Sequence, residues 1–265
     1  MKSRLLILLV LLPAFAFAQH AKKRPAPEVE PEPVVEDKTP RDSNKFAVLS
    51  LLGDDVQLIY LTPARGDTAQ SGEWKAKPAG DLDNTVLQVM DSAIKDSAKG
   101  REAKLYTSTT RSLFGDPASL FINGKLNLPD NLSEAVRQSG AAHLLLVIRN
   151  RQDPGLAAAL PARISSMLDG PGFVVDQRPS GQIGFDGQGG LPVLAPYVSI
   201  RIALIDLRDL KLKRERSMAV ARRLQVTPEM GANPWAATTA EQRMKGLEAL
   251  IEIELPAAVK ALIVP

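Results

Sequence analysis

Hydrophobic residues run unbroken from Leu5 to Leu12, thin out from Gln19 to Asn44, and return from Phe46 in short blocks of strand or helix period. Phe46 to Leu52 and Val56 to Thr62 are apolar, β-rich runs on either side of Gly53-Asp54-Asp55. That arrangement predicts a hairpin closed by a tight turn. Residues 63–82 hold proline, glycine and charge and read as a loop. Val86, Val89, Met90, Ala93 and Ile94 fall on one face of a helix over residues 84–99, with Gly100 where a C-cap glycine belongs. Lys104 to Thr109 reads as a short strand. Residues 130–139 read as a second helix, capped by Asp130 or Asn131 and stopped by Gly140. His143 to Ile148 is a continuous apolar run, the pattern of a strand buried on both faces.

Residues 150–196 are the least regular stretch, with a short helix expected around 156–168 and a brief strand at Phe173 to Val175. Val198, Ile200, Ile202 and Leu204 then alternate with Ser199, Arg201 and Ala203, the clearest strand in the chain. A turn at Arg208 to Leu210 and a further strand over Lys211 to Arg223 complete a second hairpin. Thr238 and Glu241 have the spacing of a capping box. Met244, Leu247, Ile251, Leu255, Val259 and Leu262 follow as a helical stripe. Pro256 is expected to kink or break that helix, and Trp235 to act as its hydrophobic staple. These elements predict one α/β (α+β) domain over residues 45–265, a mixed β-sheet with helices packed on it, without the regular alternation of a Rossmann fold.

The N-terminus reads as an export signal. Lys2 and Arg4 precede the apolar run, and Ala16 and Ala18 occupy the small-residue positions of a cleavage site, so residues 1–18 are expected to be removed before Gln19. The stretch from Leu5 to Ala18 is 14 residues long, shorter than the roughly 20 of a spanning helix. The competing reading is an uncleaved anchor. Residues 19–44 carry Pro25, Pro27, Pro31, Pro33 and Pro40 among charges and read as a disordered acidic linker. In polyproline form such a linker reaches on the order of 80 Å. It fits a solvated tail, or a spacer if something holds its far end. The expected location is the periplasm.

The 265 residues include 33 Lys+Arg, 30 Asp+Glu, two histidines and no cysteine, with 45% apolar content. Zero cysteines exclude disulfides, cysteine-ligated metal, thiol nucleophiles and a lipid-acylated cysteine. Loss of the signal removes two bases and no acid, reducing the formal charge from +3 to +1. That balance is not the footprint of a nucleic-acid binder.

Little catalytic chemistry is legible. Ser92-Ala-Ile-Lys95 has the S-x-x-K spacing of penicillin-recognising enzymes, but the partner motifs S-D-N and K-T-G are missing, and the pair fits the outer face of a helix. A Ser-His-Asp triad would need His143, which opens a buried strand and reads as structural. Asp81-Leu-Asp83-Asn84 begins like a calcium loop but lacks its glycine and terminal glutamate. No metal, cofactor or catalytic residue is expected. Two segments stand out as contact surfaces. One is the glycine-rich run 180–190, with Gly184, Phe185 and Asp186 at its centre. No Gly-Lys-Ser/Thr follows it, so a partner contact or a plain mobile loop fits better than a phosphate cradle. The other is the second hairpin, with Arg208, Lys211, Lys213, Arg214, Arg216, Arg222 and Arg223 against Asp206, Asp209 and Glu215. It fits an acidic partner or an anionic envelope surface, and fits equally a solvated edge strand guarded by charge. With aromatics at only 5%, a stacked sugar-binding platform is poorly supported.

His143-Leu-Leu-Leu-Val-Ile-Arg149, Gly170-Pro-Gly-Phe-Val-Val-Asp176, Tyr197 to Asp206 and Asn233-Pro-Trp235 with its following helix resemble an uncharacterised family of exported proteobacterial proteins, over roughly residues 46–263. Leu204-Ile-Asp206 followed by a basic hairpin is more loosely similar to the periplasmic α/β domains of curli-assembly components and the N-terminal domain of TolB-type proteins. The looser likeness implies protein binding, without the lipid anchor common in the curli group. The leading expectation is a non-enzymatic envelope interaction module. A hydrolase with an unrecognised site and a small-ligand binding protein are the alternatives.

Overall fold

The computed structural model describes residues 40–53, 55–61, 73–76, 82–151, 168–176, 193–224 and 233–264. Among them, eight strands form one mixed sheet with helices packed on it. The strands are β1 (Asp42–Leu51), β2 (Val56–Leu61), β3 (Glu73–Ala76), β4 (Glu102–Tyr106), β7 (Ala141–Arg149), β8 (Gly170–Asp176), β9 (Val193–Asp206) and β10 (Leu212–Ala221). A separate small hairpin joins β5 (Phe121–Ile122) to β6 (Lys125–Leu126). Asn123 and Gly124 at its tip both have positive φ, as a tight two-residue turn requires.

The organising element is β9, 14 residues long. Val193 to Ser199 pair antiparallel with β8, and Ile200 to Asp206 pair antiparallel with β7. Residues 197–205 pair along the opposite edge with β10. The sheet therefore forks. One wing adds β1 and β4, both parallel to their neighbours, beyond β7. The other adds parallel β2 and antiparallel β3 beyond β8. β10 is left as an edge that pairs, among the described residues, with β9 alone.

This corrects the first expected hairpin. β1 and β2 are consecutive yet lie in different wings. Both are buried on both faces over Ala47 to Leu51 and Val56 to Ile59, and two-sided burial suits interior parallel strands rather than a hairpin with one wet face. The loop expected over 63–82 also contains β3, and α1 (Leu82–Ser97) already begins at its end. The helix expected at 156–168 falls outside the described residues apart from Leu168, which is buried. β1 begins at Asp42, inside the stretch assigned to the linker.

One face of the sheet is covered by α1 and by α4 (Ala240–Ile263), which meet Val198, Ile200, Ile202 and Leu204 of β9 in one core. Leu82, Val86, Met90 and Ile94 line the buried side of α1 at helical spacing. The expected stripe of α4 is buried from Met244 to Leu262. Helix α4 runs on through Pro256, so the proline does not break it. The backbone bond lost there would have ended at Glu252, which is exposed, while Leu255, Ala258 and Val259 keep the packing continuous. The capping box lies one residue later than its expected place. Gln242 N donates to Thr239 Oγ1 at 3.1 Å, and Thr239 N donates to Gln242 Oε1 at 2.8 Å. Thr238 is instead the C-cap of the short α3 (Pro234–Ala237), where its hydroxyl donates to Pro234 O at 3.0 Å, and α4 starts one residue later. The other face carries a second core, in which Ala203, Ile205 and Leu207 meet Leu113, Leu120, Leu126 and Val136 of α2 (Asp130–Arg137).

Candidate functional site

The turn from β9 to β10 is built from short local bonds. Asp206 Oδ1 accepts Arg208 N at 2.9 Å, and Asp209 Oδ1 accepts Lys211 N at 3.1 Å. Leu210 takes a positive φ of 58°. Its carbonyl accepts Leu126 N at 2.8 Å, which ties the small β5–β6 hairpin to the turn. The ladder then slips between Leu212 and Arg214, leaving Lys213 as a bulge.

The bulge sends Lys213 back toward β7. Its Nζ lies 3.1 Å from Asp206 Oδ2 and 3.5 Å from His143 Nε2. Register brings the rest together, since His143 pairs with Asp206 across the β7–β9 ladder and with Phe46 across β1. The His143 ring stacks on Phe46 at 5.9 Å between centroids, and the Arg101 guanidinium lies 5.8 Å from the Phe46 ring. Burial pushes the His143 pKa below its ordinary 6.5, and Lys213 and Arg208 push it the same way against the pull of Asp206. Burial alone would raise Asp206. The Arg208 amide, the Lys213 ammonium and His143 together bring it below the usual carboxylate value.

The direction of the shift favours the neutral imidazole at His143. Its Nδ1 is buried without a hydrogen-bond partner among the described residues. Protonation would put an N–H of the imidazolium against the Lys213 ammonium at Nε2. The linkage follows from the direction of the shift. With the folded pKa below the unfolded one, the contribution of His143 to stability is complete above pH 6.5 and is lost as pH falls through the folded value. Melting temperature followed against pH should therefore fall on the acid side of 6.5, and His143→Gln should flatten that part of the curve. A wild-type slope in the variant would show that His143 does not carry the effect.

The hairpin's charges divide into two groups. Lys211 pairs with Asp209 at 3.2 Å, Lys213 with Asp206, and Arg201 of β9 with Glu215 at 3.6 Å. Arg208 and Arg216 have no carboxylate partner among the described residues, and Arg214 reaches only the carbonyl of Leu262 near the end of α4, at 3.5 Å. Leu212 to Ser217 are all exposed. The unneutralised charge is therefore arginine, whose planar fork suits carboxylate or phosphate oxygens.

The other sequence candidates do not converge on this edge. Ser92 is exposed on α1, and Lys95 pairs with Asp91 at 2.7 Å. Asp83, half of the would-be calcium loop, is buried and accepts Leu52 N at 2.9 Å and Gly53 N at 3.0 Å. No cluster of three or more metal-type ligands occurs among the described residues. Trp235 meets Phe173 edge-on at 5.3 Å and packs, half-buried, against the core that includes Met244 and Leu247 of α4. Arg243, at the fourth position of α4, lies 4.0 Å over the indole and donates to Trp235 O at 2.7 Å. Gly184, Phe185 and Asp186 lie outside the described residues.

Arg149 carried no signal in the sequence beyond ending an apolar run. It is buried, donates from Nε to Leu52 O at 2.9 Å, and also donates from Nη2 to Asp55 O. With Asp83 it grips both the amides and the carbonyls of the turn between β1 and β2. A narrow crevice beside it, lined by Leu51, Leu113, Phe114 and Pro117 among others, leaves no room for a ligand.

No helix among the described residues is long and apolar enough to cross a membrane. The chain matches no protein-family model and no curated relative. Among solved structures it is similar to a dodecamer of a PelC variant from Paraburkholderia phytofirmans, at 10% identity over 86% of this chain and 94% of that one, with a TM-score of 0.35. It is also similar to protein XCC0632 from Xanthomonas campestris, of DUF330, at 11% identity over 86% and 85% of the two chains, with a TM-score of 0.33. These likenesses are remote and bear on neither the site nor its chemistry.

Proposed function

We propose that this protein is an exported, periplasmic, non-enzymatic interaction module that binds an acidic envelope partner through the basic end of the β9–β10 hairpin. The observation that carries this reading is the exposed start of β10 and the turn before it, where Arg214 and Arg216 on the strand and Arg208 in the turn stand without carboxylate partners among the described residues while Lys211 and Lys213 are paired. The residues whose types or spacing match catalytic motifs have structural contacts instead. His143 is packed on Phe46, Lys95 is paired, and Asp83 caps a turn. The run 180–190, with Gly184, Phe185 and Asp186, is the second contact element of this reading.

The test is in-cell crosslinking of the tagged protein followed by mass spectrometry of what is attached. Reversal of Arg208, Arg214 and Arg216 to glutamate should abolish recovery of one or two specific envelope proteins and leave the melting temperature nearly unchanged, because the three side chains lie at the surface. Unchanged recovery from the charge-reversed protein would remove the hairpin from the interface.

A further inference from the structure

The mode of binding at this edge is readable from the ladder, and it rests on the proposal that the edge is an interface. We infer that β10 takes up an extended acidic segment of a partner protein as an added strand, with carboxylates at alternate positions of that segment meeting Arg214 and Arg216.

The backbone parity comes first. Arg222 N donates to Pro196 O at 3.1 Å, and Leu224 N donates to Leu194 O at 2.8 Å. In an antiparallel ladder, directly opposed residues alternate between hydrogen-bonded and non-bonded pairs. Counting back by twos along the register, Val220, Met218, Arg216 and Arg214 turn their amides and carbonyls toward β9. Glu215 and Ser217 therefore turn theirs outward. Both lie in the exposed half of the strand, on the side where no strand pairs among the described residues. Such unpaired groups are a template for strand addition.

The charges add specificity to that template. Arg214 and Arg216 oppose Leu204 and Ile202, residues of the helix-side core, and so project on one face of the sheet. Residues two apart in a strand are about 7 Å apart. Carboxylates on alternate residues of an extended segment have the same spacing, and each can meet one guanidinium. The opposite face at this edge offers a different pattern, since Glu215 already engages Arg201. An anionic lipid surface would satisfy the arginines but would leave the outward amides of Glu215 and Ser217 without directed partners, so a peptide strand fits both features and a membrane only one. The Lys213 bulge ends the regular ladder on one side. The added strand is therefore short, and the charge pairs decide its affinity.

Fluorescence anisotropy with labelled seven-residue peptides tests this on the full chain. The alternating peptide Thr-Glu-Val-Glu-Val-Glu-Thr should bind at least about tenfold tighter than an isomer with its three glutamates adjacent. Arg214→Gln with Arg216→Gln should erase that preference. Ser217→Pro keeps every charge and removes one outward amide, and it should weaken the alternating peptide by a similar factor. A peptide N-methylated at the residues that face β10 should fail in the same way, and it needs no change to the protein. If the arginine variants lose binding while Ser217→Pro and the N-methylated peptide bind normally, the site is a charge patch, and strand addition is refuted while the proposed function stands. If neither the arginine variants nor Ser217→Pro alters recovery of the crosslinked partners, both readings fall. Binding to phosphatidylglycerol vesicles without discrimination between the peptides would also overturn the inference.

Discussion

Gly172→Ala should destabilise the domain by about 3 kcal/mol, the upper end of what overpacking usually costs. That corresponds to a melting temperature lower by on the order of 10 °C for a domain of this size. Gly172 lies on β8 between Gln57 of β2 and Tyr197 of β9. Tyr197 is completely buried, and its ring extends across the glycine so that its hydroxyl donates to Gln57 Oε1. The same amide oxygen accepts Asp169 N at 2.8 Å. A Cβ on residue 172 would overlap the hydroxyl end of the Tyr197 ring and would stand 2.6 Å from Gln57 O. The second collision decides the size of the effect. A side chain can turn away, but Gln57 O belongs to a strand held on both sides by ladders. Replacing the tyrosine should therefore relieve only part of the loss. In a double-mutant cycle, Gly172→Ala and Tyr197→Leu should show a favourable coupling of about 1 kcal/mol. A Gly172→Ala protein that melts with the wild type would show that the ring does not lie where it is described.

The contrast between Gly172 and the elements around it shows where sequence reasoning runs out. The stripe of α1, the alternation of β9 and the positions of Gly100 and Gly140 are local patterns, and each marks an element that is present. Pairing is not local. The apolar runs of β1 and β2 look like a hairpin because they are adjacent, and only the fork at β9 separates them. Gly172 lies just outside the brief strand expected at Phe173 to Val175, and nothing local marks it until Tyr197 is seen across from it. The candidate edge was legible in the same partial way. The excess of basic residues in the second hairpin is visible in the chain, and it does lie on an exposed edge. Which of those charges remain available was not visible. The pairing of Lys213 with Asp206 depends on a bulge, and that of Arg201 with Glu215 depends on a cross-strand register. The misplaced capping box has a similar origin, since Thr238 and Thr239 both have a capping-box partner in sequence and differ because Thr238 ends α3 while Thr239 begins α4.

Arg149→Met should cost about 2–3 kcal/mol, and the reason is a competition between two large terms. Arg149 is only 6% exposed as a residue, and no carboxylate of the described residues pairs with it. Burying an unpaired cation is expensive, so its removal returns part of that cost. Against this stand two charge-assisted bonds to Leu52 O and Asp55 O, each worth about 1.5–3 kcal/mol. The Leu52 carbonyl would then stay buried with its donor gone. The packing is specific as well. A Cβ on Gly170, which has φ +66°, would lie 2.9 Å from Arg149 Cγ, so the arginine stem rests directly on that backbone. Methionine keeps most of the stem and isolates the polar loss. Arg149→Lys should recover less than half of the difference, because an ammonium lacks the fork that spans both carbonyls. Asp83→Asn should cost about 1–2 kcal/mol, since an amide offers one acceptor where the carboxylate offers two. The two residues hold opposite polarities of one turn, so once either is lost the turn can shift and the other holds less. Urea denaturation of the double variant should therefore show a loss smaller than the sum of the single losses by about 1 kcal/mol. Strict additivity would mean that Asp83 and Arg149 act on separate parts of the turn, and a stable Arg149→Met protein would mean that relief of the buried charge outweighs its bonds.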